Sequence, residues 1–467
     1  MYKTVSLNIV GSSNPNRTRA ISQERTLNMY PEPTQTGAYP SVLLPWPGSK
    51  TFGSSTGTGA PRGIYTHSDG TLYKVTGTTL YSVTSGGVET SIGTIAGSGY
   101  VIMSDDGNNL LLATTTSAYQ YDGATLTQIT DTDYEAGGSV DVLNNQAIWQ
   151  GLNQRFAVAD AGDPDSIQSL NYATAESSGD DLKRVYVFRE QVYLLGSITI
   201  EPWYNSGVGT PPFDRIQSGK MDVGVIDRLS VSSNDNFMYW IADDKNLYRA
   251  SAYDPQPLMP PSIHNQFQQY DLTDCRVRCL TFDGQNFVII LNNVKSWVYS
   301  ETTNSWFELA YKADEEIYLA YDITTAYGKA IIQSRLDGKL LELDLQTYTD
   351  NGQTTIRERV TAPINGSQLG INGGRFMIKR AEIIMESGIG NSDEENPLIM
   401  VSHSKDFGQT FSNEKWLRAG RDGENNIRVE YYAMDSMRQV QFKIRFSSPN
   451  FLTLHSMALD VRAAGKF

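Results

Sequence analysis

The sequence has no long apolar run, and among its 467 residues it has only two cysteines and four histidines. No stretch approaches the roughly 20 apolar residues that a membrane-spanning helix needs. Residues 1–10 contain one lysine and no sustained apolar core, which is unlike a secretory signal. We therefore expect a protein without a membrane-spanning segment that folds where it is made, in a cytoplasm.

The two cysteines are Cys275 and Cys279. Residues four apart in a strand lie on one face but about 13 Å apart, which is beyond disulfide reach. The histidines are scattered along the chain, so neither cysteine has an obvious partner for metal binding. We predict idle or buried thiols, no metal site and no cofactor.

The residues that are abundant favour β-structure. There are 40 glycines and 26 tyrosines, with 39% hydrophobic and 19% charged residues. Tyrosines pack well on pleated sheets and glycines make turns, whereas no long run of helix-forming residues occurs. The predicted class is all-β, with enough apolar residues for a buried core.

A loose repeat begins at Arg62. Each unit has an apolar strand, a polar turn and further strands rich in Leu, Tyr, Trp or Val, and the seven units begin near residues 62, 98, 139, 182, 226, 277 and 318. A period of about forty residues is typical of a four-stranded propeller blade. We predict six or seven blades, with a sandwich of ordinary hairpins as the alternative.

Three regions follow from this pattern. Residues 1–60 are rich in Asn, Pro, Ser, Thr and Gly and are predicted to form an extended strap on a surface, anchored by Tyr30, Trp46 and Phe52. Residues 61–350 form the propeller. Residues 351–467 show longer alternating strands, such as Val440–Phe446, and are predicted to form a β-sandwich-like domain.

The net charge of −14 is unevenly distributed. Residues 1–60 have 5 basic and 2 acidic side chains, residues 61–350 have 18 and 37, and residues 351–467 have 15 and 13. A solubilising surface would explain the acidic middle region. The more specific interpretation is a face or channel that repels polyanions, so that nucleic acid passes without sticking.

One short motif stands out in the C-terminal region. Residues 404–411 resemble the Asp-box, Ser-x-Asp-x-Gly-x-Thr-aromatic, of sialidases and many non-enzymatic β-proteins. The positions that carry it are Ser404, Asp406, Gly408, Thr410 and Phe411. Its side chains typically bond the backbone of a hairpin turn, so we predict a structural turn. A sialidase would repeat the motif across its blades.

No catalytic motif is found. The sequence contains no Walker loop, no His-Glu-x-x-His and no nucleophile elbow, and most acidic residues lie in turn-like segments. We predict that the protein is not an enzyme. A propeller glycosidase or polysaccharide depolymerase, which would need two placed carboxylates, and a lectin-like propeller that binds glycans are the alternatives.

Both ends of the chain resemble a known family. Gln23–Pro31, followed by Pro47-Gly48, Arg62-Gly63 and the hairpin Leu72–Tyr81, is similar to the opening of the phage packaged-DNA stabilisation proteins, the tail nozzle or tail hub family of short-tailed bacteriophages. Ser404–Phe411 and the closing strands Arg438–Arg445 and Leu452–Val461 resemble the end of that family.

The resemblance implies a structural protein of the virion tail, assembled in the host cytoplasm. It implies a homohexameric ring beneath the portal and its adaptor, the head-to-tail connector. Such a ring retains packaged DNA, guides it through the lumen during ejection without sequence-specific binding, and contacts tail fibres or spikes and a needle or plug. The resemblance implies no catalytic residues.

Overall fold

The computed structural model describes residues 2–34, 37–55, 57–175, 179–312, 317–371, 374–432 and 434–464. Within these residues nearly all regular structure is strand. The exceptions are one α-helix, α1 (Pro261–Phe267), and one 3-10 turn at Gln217–Gly219. In the same residues, neither helix has the length and apolar character that a bilayer crossing requires. The predicted all-β class is confirmed.

Six strands precede the repeat. They are β1 (Lys3–Asn8), β2 (Asn14–Pro15), β3 (Gln23–Leu27), β4 (Met29–Pro33), β5 (Ser41–Pro45) and β6 (Gly48–Thr51).

Six antiparallel units of four consecutive strands then follow, here called blades 1 to 6; the first five are separate sheets, and the sixth is one end of a larger sheet. Blade 1 contains β7 (Pro61–Thr66), β8 (Leu72–Thr76), β9 (Thr79–Val83) and β10 (Glu89–Thr94), and blade 2 contains β11 (Ile102–Asp105), β12 (Leu110–Ala113), β13 (Ala118–Tyr121) and β14 (Leu126–Gln128). Blade 3 contains β15 (Val140–Leu143), β16 (Gln146–Gln150), β17 (Arg155–Asp160) and β18 (Asp163–Thr174), and blade 4 contains β19 (Leu182–Phe188), β20 (Gln191–Gly196), β21 (Ile200–Asn205) and β22 (Phe213–Arg215). Blade 5 contains β23 (Val231–Ser233), β24 (Met238–Ile241), β25 (Leu247–Ala250) and β26 (Gln256–Pro257), and blade 6 contains β27 (Arg276–Phe282), β28 (Gln285–Leu291), β29 (Ser296–Ser300) and β30 (Ser305–Leu309).

A further four-stranded unit, blade 7, is composite. Its strands β31 (Ala320–Ala326), β32 (Lys329–Ser334) and β33 (Leu340–Asp344) are completed by β6, which pairs antiparallel with β33. Strand β31 lies beside β7 of blade 1, so the ring closes there. The described residues thus form six blades of consecutive strands and a seventh that the N-terminal segment completes. The prediction of a propeller is confirmed.

The blades are held together by side chains that alternate along each strand. In β28, Phe287, Ile289 and Leu291 pack into one buried cluster, and Val288 and Ile290 pack into another on the opposite face. A strand that is buried on both faces needs apolar residues at nearly every position, which explains the continuous apolar run in the sequence of β28. Each blade therefore needs a neighbour on both sides to bury its residues.

Two short strands, β34 (Thr349–Asp350) and β35 (Gln353–Thr354), extend the sheet of blade 7, because β34 pairs with β6 and β35 pairs with β34. The remaining strands complete a β-sandwich. They are β36 (Arg357–Val360), β37 (Ile364–Asn365), β38 (Phe376–Met385), β39 (Leu398–Ser404), β40 (Lys415–Arg418), β41 (Val429–Tyr432), β42 (Ser436–Met437), β43 (Gln439–Phe446) and β44 (Leu454–Ala463).

One sandwich sheet contains β38, β41 and β44 together with β1, β4 and β5. The other runs β3-β36-β43-β39-β40 and is continuous with blade 6, because β3 lies between β30 and β36. The core between the sheets includes Val440, Phe442, Ile444 and Phe446, each at most 1% exposed. The predicted alternation of β43 and the predicted sandwich are confirmed.

The described part of residues 1–60 is extended, as expected, but its strands are inserted into sheets rather than resting on a surface. Strand β1 pairs with β44, β3 joins blade 6 to the sandwich, and β6 completes blade 7. The predicted anchors Tyr30, Trp46 and Phe52 are at most 3% exposed. The backbone of this polar segment needs hydrogen-bond partners, and the edge strands of the propeller and the sandwich supply them.

Candidate functional site

The first strand of every blade lines one cavity of about 490 Å³ on the propeller axis, here called the axial cavity. The inner strands of the seven blades each contribute between one and three residues to its lining. Much of the lining is polar. It includes Tyr65, Ser104, Asp141, Arg184, Tyr186, Ser232, Arg278 and Thr324.

One end of the axial cavity is closed by three side chains from different blades. Arg278 Nε donates to Asp322 Oδ1 at 2.5 Å, and its Nη2 donates to the Tyr100 hydroxyl at 2.7 Å. The Tyr100 hydroxyl donates to Asp322 Oδ2 at 2.5 Å. These residues belong to β27, β31 and the approach to β11, so the network joins blades 6, 7 and 2 across the axis.

Burial and charge act in opposite directions on this network. Burial alone would lower the pKa of the Arg278 guanidinium, but the Asp322 carboxylate outweighs burial and holds that pKa above its ordinary value. Burial raises the pKa of the Tyr100 phenol. Arg278 is therefore charged at neutral pH, and Tyr100 keeps its proton as a donor.

More arginines surround the closed end. The Arg276 guanidinium lies 3.9 Å from the centre of the Tyr321 ring, which stacks on Tyr100. Arg228 donates to the carbonyls of Gly138 at 2.8 Å and Tyr100 at 3.2 Å. A cavity of this size suits a small molecule. Because these hydrogen-bonded side chains span the axis, a DNA duplex cannot pass along it.

A second charged cluster lies where β30, β3, β36 and β43 meet. Glu308 is paired with Arg25 at 2.7 Å and with Lys295 at 2.9 Å. Arg25 also reaches Glu358 at 3.4 Å, which in turn pairs with Arg445 at 3.4 Å. Burial would raise the pKa of the Glu308 carboxyl, but Lys295 and Arg25 together hold it below its ordinary value. The cluster connects the propeller to the sandwich.

Asn28, from the segment that resembles the family opening, lies at the same junction. It is 2% exposed and its φ is 52°, a conformation that asparagine tolerates better than most residues. Its Nδ2 donates to the carbonyls of Ala310 at 3.0 Å and Ile356 at 2.8 Å, and its Oδ1 accepts from the Ala310 amide at 3.0 Å. One side chain thus ties blade 6 to the start of the sandwich.

The Asp-box residues lie together in the turn that follows β39. Ser404 Oγ donates to Asp406 Oδ1 at 2.7 Å and accepts from the Gly408 amide at 2.8 Å. Asp406 accepts from the Thr410 hydroxyl at 2.6 Å and from its amide at 2.9 Å, and these bonds lower the pKa of Asp406 to about 2. Gly408 has a φ of 77°. The Lys443 ammonium lies 4.1 Å from the centre of the Phe411 ring.

The two cysteines lie on the same blade, at the start and in the middle of its inner strand region. Burial raises the pKa of both Cys275 and Cys279 to about 12, so neither is a thiolate at neutral pH. In the described ranges, no group of three or more His, Cys, Asp and Glu side chains is placed to hold a metal ion.

Sequence analysis missed the charged networks at the axis and at the junction. Their only sequence signal is an arginine alternating with other residues inside predicted strands, as in Arg276-Val277-Arg278 and Arg357-Glu358-Arg359. All four of these arginines are mostly or fully buried. Such a cation needs partners, and those partners come from distant parts of the chain.

Family comparisons match most of the chain. Residues 9–348 match the family described as Bacteriophage P22 Gp10, beta-propeller, and residues 366–462 match Bacteriophage P22 Gp10, beta-sandwich. The resemblance found at both ends of the sequence is thereby confirmed. No curated protein sequence matches this chain significantly.

Solved structures of similar shape include two bacterial proteins. BamB from Moraxella catarrhalis is 8% identical, with a TM-score of 0.38, over 73% of this chain and 97% of that chain. The extracellular domain of the putative hybrid two component system BT4673 from B. thetaiotaomicron is 11% identical, with a TM-score of 0.45, over 83% of this chain and 48% of that one.

Proposed function

Because the chain belongs to the Bacteriophage P22 Gp10 family of phage stabilisation proteins, we propose that it is a structural subunit of the tail nozzle, or tail hub, of a short-tailed phage. Six copies form a ring below the portal and its adaptor. The ring retains packaged DNA in the head and guides it during ejection. The protein is a component of the virion tail and is assembled in the host cytoplasm.

The closed propeller axis is the observation that supports a ring most directly. Tyr100, Arg278 and Asp322 close the axial cavity, so a single chain offers DNA no path along its own axis. A protein that stabilises packaged DNA as a conduit must then form that conduit between copies. A ring with closed symmetry provides it.

The charge distribution suits such a conduit. Between Lys74 and Lys183 the sequence has 14 acidic side chains and one basic one, Arg155. Anionic walls offer DNA phosphates no cations to displace, so they provide no counterion-release attraction. We infer that acidic propeller surfaces line the duct, where they let DNA slide without sequence-specific binding.

Three regions have different roles in this proposal. Residues 1–60 are the strap that fastens the two domains, residues 61–350 are the propeller, and residues 351–467 are the sandwich-like domain. The two end regions, which carry more basic than acidic residues, dock the adaptor and the tail fibres or spikes and needle. The polar groups of the Asp-box bond to their own turn, so we assign Ser404, Asp406, Gly408, Thr410 and Phe411 a structural role and propose no catalysis.

The test is to assemble particles with and without this chain. We expect particles that lack it to release their DNA after packaging, measured as DNA accessible to nuclease, and particles that carry it to retain theirs. Electron cryomicroscopy of the assembled tail should show a closed ring of this chain below the adaptor. Unchanged DNA retention, or a duct lined mainly by Lys and Arg, would sink the proposal.

A further inference from the structure

The outer edge of blade 3 has the character of a docking surface. Its last strand, β18, pairs with β17 on one side only within the described residues. Leu170 and Tyr172 project from it with exposed fractions of 71% and 40%. An open strand edge with exposed apolar side chains is a site at which another chain can bind. We call this surface the blade-3 edge.

The blade-3 edge is also acidic. Asp163, the first residue of β18, and Asp133, in a loop beside β18, are exposed and make no ion pair in the part of the chain that the structure describes. Arg155 is the single basic residue of this region, and its charge already has partners. It pairs with Glu135 at 3.9 Å and lies 4.6 Å from the centre of the Tyr172 ring. The surface therefore presents uncompensated carboxylates next to apolar side chains.

A complementary surface lies on the sandwich. A pocket of about 580 Å³ is lined by Arg375, Arg438 and Arg462, at the ends of β38, β42 and β44. Arg375 donates to the hydroxyl of Ser436 at 3.0 Å, and this hydroxyl carries no charge. Among the described residues, none of the three arginines has a carboxylate within 4.0 Å. We call this surface the arginine pocket.

The sandwich joins the propeller on the side of the ring opposite to blade 3. The sandwich is attached at blade 6 through β3, and at blade 7, where Tyr348 contacts Phe451 with ring centres 6.1 Å apart. In a ring of these blades, blade 3 is three positions from blade 6 in one direction and three from blade 7 in the other. A copy placed against the blade-3 edge can therefore approach without meeting the sandwich of the same chain.

We propose that the arginine pocket of one copy binds the blade-3 edge of the next copy. Guanidinium groups form paired hydrogen bonds with carboxylates, and complementary charges fix how two copies meet. Because the two surfaces differ, the contact is heterologous, and repetition of such a contact closes into a ring when the rotation permits. This inference rests on the proposed ring and specifies its contact. Acidic groups elsewhere on the propeller remain available to the duct.

The test uses two charge-reversed variants of the full chain. The pocket variant carries Arg438→Glu and Arg462→Glu, and the edge variant carries Asp133→Lys and Asp163→Lys. We expect each variant alone to need at least tenfold more protein than the wild type to form oligomers, measured by native mass spectrometry and sedimentation velocity. Mixed in equal amounts, the two should assemble again, because every contact then joins opposite charges.

The mixed assembly has a further signature. Copies of the two variants must alternate, so the restored oligomers should contain an even number of chains, half of each variant. Matched controls are Arg428→Glu on the sandwich, where Arg428 is 69% exposed, and Asp254→Lys on blade 5. Both controls should assemble as the wild type does.

The outcomes separate this contact from the proposed function. If the wild type forms closed oligomers and the reversed variants do so equally well, the contact is wrong and the ring remains. If each variant alone fails but the mixture fails too, the two surfaces do not bind each other and the contact is again wrong. If the wild type forms no oligomer at any concentration, with or without the adaptor, both the ring and the contact are wrong.

Discussion

Arg278 and Asp322 form an ion pair on the propeller axis, with Nε and Oδ1 2.5 Å apart and side-chain exposures of 14% and 1%. Arg278 comes from the inner strand of blade 6 and Asp322 from the inner strand of blade 7. Asp322 also accepts from the Ile64 amide of blade 1 at 3.3 Å. The pair therefore links the last blades to the first at the point where the ring closes.

Replacing Asp322 with asparagine should destabilise the propeller strongly. Asp322→Asn keeps the size of the side chain but leaves the Arg278 charge buried without a counterion. Removing one partner of a buried pair costs about 3–5 kcal/mol. The expected result is a loss of this size in the free energy of unfolding, measured by urea denaturation. Asp337→Asn is the matched control, because the Asp337 side chain is 34% exposed and its pair with Lys339 spans 3.5 Å. It should cost less than about 1 kcal/mol, and an equal loss in both variants would contradict our account.

Glu308 should make stability depend on acid. Its pKa is lowered in the folded protein, so its contribution is present above the unfolded value of about 4.5 and is lost as the pH falls through the folded value. Glu308→Gln should therefore cost about 3–5 kcal/mol near neutral pH and much less near pH ~3. Urea denaturation at several pH values measures the difference. Glu424→Gln, at an exposed pair with Arg418, should leave the unfolding midpoint nearly unchanged. A cost of Glu308→Gln that does not change with pH would show that the charge of Glu308 is not what matters.

Asp350 should have the opposite pH dependence. It is 3% exposed, and burial raises its pKa to about 6 from an ordinary 3.8. The folded protein then binds more protons than the unfolded chain between these values, so stability falls as the pH rises through them. Asp350→Asn should stabilise the protein by about 1–3 kcal/mol near neutral pH and have no effect below the ordinary pKa. Thermal unfolding at both pH values tests this, and a variant less stable than the wild type at neutral pH would show that the bond from Ser49 Oγ, at 3.2 Å, needs the charged form.

Asn28 should tolerate few substitutions. Asn28→Gly permits the φ of 52° but removes the three side-chain hydrogen bonds to Ala310 and Ile356. At roughly 1 kcal/mol for each bond, a loss of about 3 kcal/mol is expected, and Asn28→Ala should cost more because alanine also strains the backbone. Limited proteolysis should then cut between the propeller and the sandwich more readily. If Asn28→Gly and wild-type protein unfold at the same urea concentration, the side chain does not fasten the domains.

The blades could be predicted because each is built from strands that follow one another in the sequence. Strands such as β7 and β8 are joined by a short turn, and their alternation and turn residues lie within a few positions of each other. The Asp-box turn was recognisable for the same reason, since Ser404 and Asp406 bond within the turn itself. Sequence periodicity reports such contacts directly.

Contacts between distant residues could not be predicted. Nothing near Lys50 in the sequence indicates that β6 pairs with β33, where Lys50 lies opposite Glu342. The partners of Arg25 are 283 and 333 residues away in Glu308 and Glu358. A single sequence records which residues are charged, but it does not record which of many carboxylates will meet a given arginine.

The pairing of β3 and β6 with strands near the far end of the chain also bears on how the protein is made. Leu27 pairs with Glu308 and Glu358, and Ser49 pairs with Leu343, so both early strands leave the ribosome long before their partners exist. Blades 1 to 5 can form during synthesis, but the propeller cannot close until residue 344 is available. Until then β6 has no partner and is an unpaired edge, which leaves the nascent chain open to aggregation through most of its synthesis.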